Sequence, residues 1–237
     1  QVKDPERILY PLARKGALRV RLKLPWGELD VYNTHLVAAY PAQKARYRAL
    51  RLAQVFELWE MVRDGSAGRP FLILGDLNAG PDDEAYGALL GLTGLARSGS
   101  RGVDHILTAS ARGVRLGPAL TGPIPGSGTL AYSDHEGLEA AIDADALRAA
   151  ARPDPARRRA ALALIDGALA DMEDGMRARL AQRSWMPVYG WVLSLRYEHQ
   201  LRQLASIRAR LAAAQEPLAP KRQAASKPST NDLQRTR

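Results

Sequence analysis

The chain contains no cysteine. That excludes disulfide staples and thiolate metal sites, and it fits a reducing compartment without requiring one. Aromatic residues are sparse, 6% of 237 positions, and only two are phenylalanines. No apolar run reaches the roughly 18 residues that a membrane-spanning helix needs. The N-terminus begins at Gln1 and shows no charged stretch leading into an apolar one, so no signal peptide is visible. A soluble or peripheral-membrane protein is the expectation, with a cytoplasmic setting favoured.

What is present is material for a core, 46% apolar residues, and an uneven charge that totals +9. Residues 1–142 hold 17 Lys+Arg against 15 Asp+Glu, about +2, while residues 143–237 hold 17 against 10, about +7. The basic excess lies away from the motifs that carry chemistry. A nucleic-acid partner is therefore the less favoured one.

Hydrophobic spacing divides the chain. Ala17–Leu24 alternates, with Leu18, Val20, Leu22 and Leu24 on one face and Arg19, Arg21 and Lys23 on the other, which predicts a half-buried strand. Pro25-Trp26-Gly27-Glu28 is a turn, and Leu29–His35 is the returning strand. A helix is predicted from Pro41 to about Asp64, its apolar stripe formed by Leu52, Val55, Phe56, Trp59 and Val62. Pro70–Gly75 is a buried strand, and a short helix follows Pro81. Val103–Thr108, Val114–Leu116 and Gly137–Ile142 are further strands. Residues 143–215 then turn to Ala, Arg and Leu. Two helices broken near Pro187 are predicted to pair as a hairpin, and 216–237 to be disordered.

The chemistry concentrates around Gly75-Asp76-Leu77-Asn78. An aspartate and an asparagine two residues apart on extended backbone point the same way, so both can face one phosphate or metal. Ser133-Asp134-His135 offers a second acid beside an imidazole. An acid that holds a histidine fixes its tautomer and raises its basicity, which suits a general base. Asp104 is the proposed partner of His135. Asp76 and Asn78 would position water and grip a phosphoryl oxygen, and His35 would stabilise the transition state. Blander readings stand beside these. Asp76 and Asn78 could form an Asx turn that caps the next helix. His35 could be structural, and Asp134-His135 an exposed loop. His105, on the opposite strand face from Asp104, and His199, on a tail helix, are read as structural.

The order Asn33-Thr34-His35-Leu36, Gly75-Asp76-Leu77-Asn78, Val103-Asp104-His105-Ile106, Ser133-Asp134-His135-Glu136 resembles the endonuclease/exonuclease/phosphatase superfamily, the DNase I-like fold. Tyr40, Tyr47, Arg51, Gln54 and Glu57, with Pro81, Asp82, Gly94 and Leu95, bring it closest to the neutral sphingomyelinases. The likeness covers about residues 8–142. It implies a four-layer α/β sandwich within the α+β class, followed here by the helical hairpin. It also implies His135 as general base, Asp104 as its orienting acid, Asp76 and Asn78 as the water- and phosphate-positioning pair, and His35 as the phosphate-side histidine. Asp134, with Asp76, would lie near a magnesium ion. The family's principal metal glutamate and an early asparagine lie on strands before the region that starts here. A chain that supplies the second half of the sandwich, one sheet face lacking its partner, is therefore expected.

The function implied is magnesium-dependent hydrolysis of a phosphodiester in a membrane phospholipid such as sphingomyelin. A nuclease or inositol-lipid phosphatase of the same superfamily, and an inactive binding module, remain the alternatives. Trp185, Tyr189 and Trp191 with Arg183 and Arg196 suit a membrane interface, so peripheral lipid contact through the helical tail is a further expectation. The same aromatics could instead seal the end of the hairpin.

Overall fold

A computed structural model describes residues 15–38, 44–118, 135–183 and 187–215. Ala17–Leu24 (β1) and Gly27–His35 (β2) form the antiparallel hairpin expected from their spacing. Lys44–Ser66 (α1) crosses over to Phe71–Asp76 (β3), which pairs parallel to β2. A helical crossover is what parallel pairing demands, since it brings the chain back to the same end of the sheet. Glu84–Thr93 (α2) leads to Ala96–Arg101 (β4) and Asp104–Thr108 (β5). The sheet order is β1-β2-β3-β5-β4. Val114–Leu116 (β6) and Ala140–Ile142 (β7) form a separate two-stranded sheet. Ala144–Arg148 (α3), Pro155–Arg183 (α4) and Pro187–Gln215 (α5) complete the described elements. The architecture is mixed α+β.

The core lies on one side of the five-stranded sheet. Leu52, Val55, Phe56, Trp59 and Val62, the predicted stripe of α1, are all buried, with Tyr32 and Ile73 beneath them. The two long tail helices are present. Leu162, Ile165 and Leu169 of α4 join the same cluster as Leu89 and Leu92 of α2, so the hairpin packs into this core. The approach is close enough that a Cβ on Gly91 would stand 3.0 Å from the Arg157 carbonyl oxygen.

One expectation needs correction. The apolar face of β1 is the exposed one: Leu18, Val20 and Leu22 are 62%, 44% and 40% accessible. Register explains the reversal. Arg19 pairs with Tyr32 and Arg21 with Asp30, and directly opposed residues share a face. Tyr32 is committed to the helix side by its hydroxyl contact with Ser66 Oγ at 2.9 Å. The arginines follow it inward and close on Asp30, whose Oδ1 accepts from Arg19 Nη2 at 3.1 Å and Arg21 Nε at 2.9 Å. Arg69 Nε reaches Oδ2 at 3.3 Å.

The strand Ala96–Arg101 was not anticipated. Its residues carry no apolar alternation, yet it forms an edge strand with a register shift between Arg97 and Gly99. An edge strand needs only one hydrogen-bonded neighbour, and a polar one resists further pairing. Tyr40, the tail 216–237, Ser184–Met186 with Trp185, and the side chains of Arg183, Tyr189, Trp191 and Arg196 lie outside what is described.

Candidate active site

Three neighbouring strands deliver a row of polar side chains to one rim of the sheet. His35 ends β2, Asp76 ends β3 and Asp104 opens β5, and the register pairs His35 with Asp76 and Asp76 with Asp104. Opposed positions share a face, so the imidazole and the two carboxylates converge. Gly75 makes the row compact. Its φ of 127° and the Thr34 carbonyl oxygen leave no room for a Cβ.

His135 joins the same rim. Its Nδ1 lies 2.8 Å from Asp104 Oδ2 and 3.9 Å from Asp76 Oδ2. On the other flank, His35 Nε2 stands 3.3 Å from Asp76 Oδ2. Asp76 thus lies between two imidazoles, while its Oδ1 accepts from the Asn78 backbone N–H at 2.8 Å. That last bond is the Asx-type turn foreseen as an alternative, and it exists alongside the imidazole contacts. The cap of α2 is a different residue, Asp83, whose side chain accepts from Ala85 N at 2.9 Å.

The loop carrying Asn78 is clamped from beneath. Asn78 adopts a left-handed φ of 47°, and its Nδ2 donates to the Leu36 carbonyl oxygen at 2.9 Å. Arg51, buried in α1, donates to the Asn78 carbonyl oxygen at 2.6 Å and to Asp83 Oδ2 at 2.8 Å. His105 Nε2 contacts the Ala79 carbonyl oxygen at 2.8 Å. Since only a donor can pair with a carbonyl, the His105 proton sits on Nε2. Burial holds its pKa below the usual imidazole value, and the Ala79 contact opposes that only in part. His105 is structural, on the face opposite Asp104.

Lys15 was not anticipated. Its Nζ lies 2.9 Å from His35 Nε2 and donates to the Leu36 carbonyl oxygen at 3.0 Å. His35 Nε2 cannot accept from Lys15 and donate to Asp76 at once, so these two contacts are alternatives. The hairpin register was the available signal. Ala17 pairs with Thr34, and two steps further along Lys15 stands level with Leu36. Ser133 and Asp134, the expected second acid, lie outside the described residues.

Asp76, Asp104 and His135 bring one ligand atom each within 4.8 Å of one another. The donor chemistry fits magnesium in part. That ion takes oxygen ligands and commonly binds through one or two carboxylates, with water and phosphate oxygens completing six. Two carboxylates meet that need. The nitrogen of His135 that approaches is the one engaged by Asp104, which makes it a weak claim on a hard cation.

No protein-family model matches the chain, and no curated protein does. Solved structures are similar to part of it. A mutant of Staphylococcus aureus beta toxin with bound magnesium ions aligns at a TM-score of 0.35 and 18% identity, over 41% of this chain and 43% of that one. Sphingomyelinase C from Streptomyces griseocarneus aligns at 0.33 and 18%, over 43% and 46%. The human Nocturnin catalytic domain aligns at 0.31 and 17%, over 42% of each. These neighbours have the DNase I-like fold. The chain spans less than half the length of each. Alignments this partial bear no weight of their own, and the functional case rests on the geometry above.

Proposed function

We propose that this chain carries the general base and the phosphate-side groups of a magnesium-dependent phosphodiesterase that hydrolyses a membrane phospholipid such as sphingomyelin. The observation that carries the reading is the 2.8 Å contact between His135 Nδ1 and Asp104, made beside Asp76. A carboxylate at Nδ1 fixes the proton there and makes Nε2 the basic nitrogen. His135 would take a proton from water as the water oxygen bonds to phosphorus. The bond from phosphorus to the lipid oxygen breaks, and a phosphorylated head group leaves. Asp104 stabilises the imidazolium that forms. Asp76 and Asn78 would orient the water and a non-bridging oxygen, and His35 would donate to the charge that develops.

Magnesium, held by Asp76 with Asp134 as the further expected ligand, would supply positive charge next to the phosphoryl oxygens. Lipid contact through Trp185, Tyr189 and Trp191 of the tail belongs to the same reading, supported by the sequence alone. The lipid claim is tested with the protein in its longest encoded form, magnesium and sphingomyelin vesicles. Release of phosphorylated head group is expected, and His135→Ala should lower turnover by roughly 10²–10⁴-fold. Intact sphingomyelin and related lipids after prolonged incubation would remove the lipid substrate. Cleavage of DNA or RNA in their place would assign the site to a nuclease.

A further inference from the structure

Lys15 stands beside His35, at a rim where an anionic substrate meets two carboxylates. Asp76 and Asp104 already place two carboxylates on neighbouring strands, and a phosphodiester would add a third negative charge. Attack by water then concentrates charge on the non-bridging oxygens, so cationic donors fixed in advance at that point lower the barrier. Lys15 meets the requirement by position. Its ammonium touches the phosphate-side imidazole of His35 at 2.9 Å, and shares the Leu36 carbonyl oxygen with the Asn78 amide. It is thereby anchored between the His35 imidazole and the Asn78 amide.

Among the described residues, Arg51 and Arg101 also lie near the rim, and each is held in place by its own partners. Arg51 is buried beneath the loop against Asp83, and Arg101 donates to the Gly117 carbonyl oxygen at 2.8 Å with Glu136 3.6 Å away. Lysine suits the task because its ammonium presents three donors on a flexible stem, and can exchange an imidazole contact for a phosphoryl oxygen.

We propose that Lys15 is a catalytic residue whose ammonium contacts a non-bridging phosphoryl oxygen on the His35 side and offsets the charge that grows there. This rests on the phosphodiesterase reading, and its test is built to fail separately. Inorganic phosphate is titrated, with magnesium, into the wild-type protein, Lys15→Met and Lys15→Arg, and binding is followed by calorimetry. Lys15→Met should bind phosphate at least about tenfold more weakly and lose about 10²-fold in kcat, the scale of one lost oxyanion donor. Lys15→Arg, which keeps the charge, should recover most of the phosphate affinity.

A second measurement needs no variant. Phosphate should protect the Lys15 amine of the wild-type protein from an acylating reagent, read by mass spectrometry. Unchanged phosphate affinity in Lys15→Met, an arginine variant as impaired as the methionine one, or no protection of the amine would each overturn the proposal. Lys15-dependent phosphate binding without cleavage of any diester would overturn the phosphodiesterase reading and leave the Lys15 contact standing. Diester cleavage that Lys15→Met retains in full would do the reverse.

Discussion

His105 shows how a single buried ring can hold an active-site loop without touching substrate. It is 1% exposed, packs against Tyr86 at 4.7 Å between ring centroids, and donates to the Ala79 carbonyl oxygen beside Asn78. Its Nδ1 has no partner, so a second proton there would be buried uncompensated. The sign of the pH effect follows from the direction of the shift. The unfolded ring titrates near the usual 6.5 and the folded ring below it, so between those values the unfolded chain binds more protons. Stability contributed by neutral His105 is whole above the usual imidazole value. It declines as pH falls through that value towards the folded one. Urea midpoints at about pH 7.5 and about pH 5.5 should therefore fall more for the wild-type protein than for His105→Gln. An equal fall in both would show that the ring does not stay neutral in the fold.

At the scale of elements, β1 reverses the simple rule that the apolar face of a strand goes inward. Asp30 is fully buried, and Arg19, Arg21 and Arg69 close around it. Leu18, Val20 and Leu22 on the opposite face are exposed. The consequence is measurable. Val20→Thr should change the unfolding free energy by no more than about 0.5 kcal/mol, as exposed substitutions do. Arg19→Met takes one guanidinium from a buried carboxylate and should cost about 1–3 kcal/mol. The opposite ranking would mean that the apolar face is the packed one. The expected sandwich calls for a second layer on that same face, which also carries His35, Asp76 and Asp104 at its rim.

The whole molecule is organised by helix packing at a distance from the chemistry. Helix α4 lies against α2 and α1, and Ile165 and Leu169 are fully buried there. Helix α5 is fastened to α1 by Arg210, which bonds Glu60 and lies 3.4 Å from Glu57. Burial pushes the Glu60 carboxyl up, and the Arg210 charge opposes that. The tail thus contributes core to the sheet region. Leu169→Ala should cost about 2–5 kcal/mol in denaturant unfolding, the range for a large-to-small change in a tight interior. A loss under about 1 kcal/mol would show that the hairpin folds apart from the sheet.

The local spacing of residues was enough for the hairpin, the α1 stripe, the buried strand at 71–76 and both tail helices, because periodicity of two or 3.6 reports which side of an element is apolar. It also marked His35, Asp76, Asn78, Asp104 and His135 as residues with shared chemistry. What periodicity cannot report is which face the rest of the molecule covers. For β1 that was decided by Tyr32 and Asp30 on the adjacent strand, paired in register with the two arginines. The same holds for Lys15 and Arg51. Their places beside His35 and beneath Asn78 depend on register and on helix position, and only the assembled tertiary structure brings such distant positions into hydrogen-bond range.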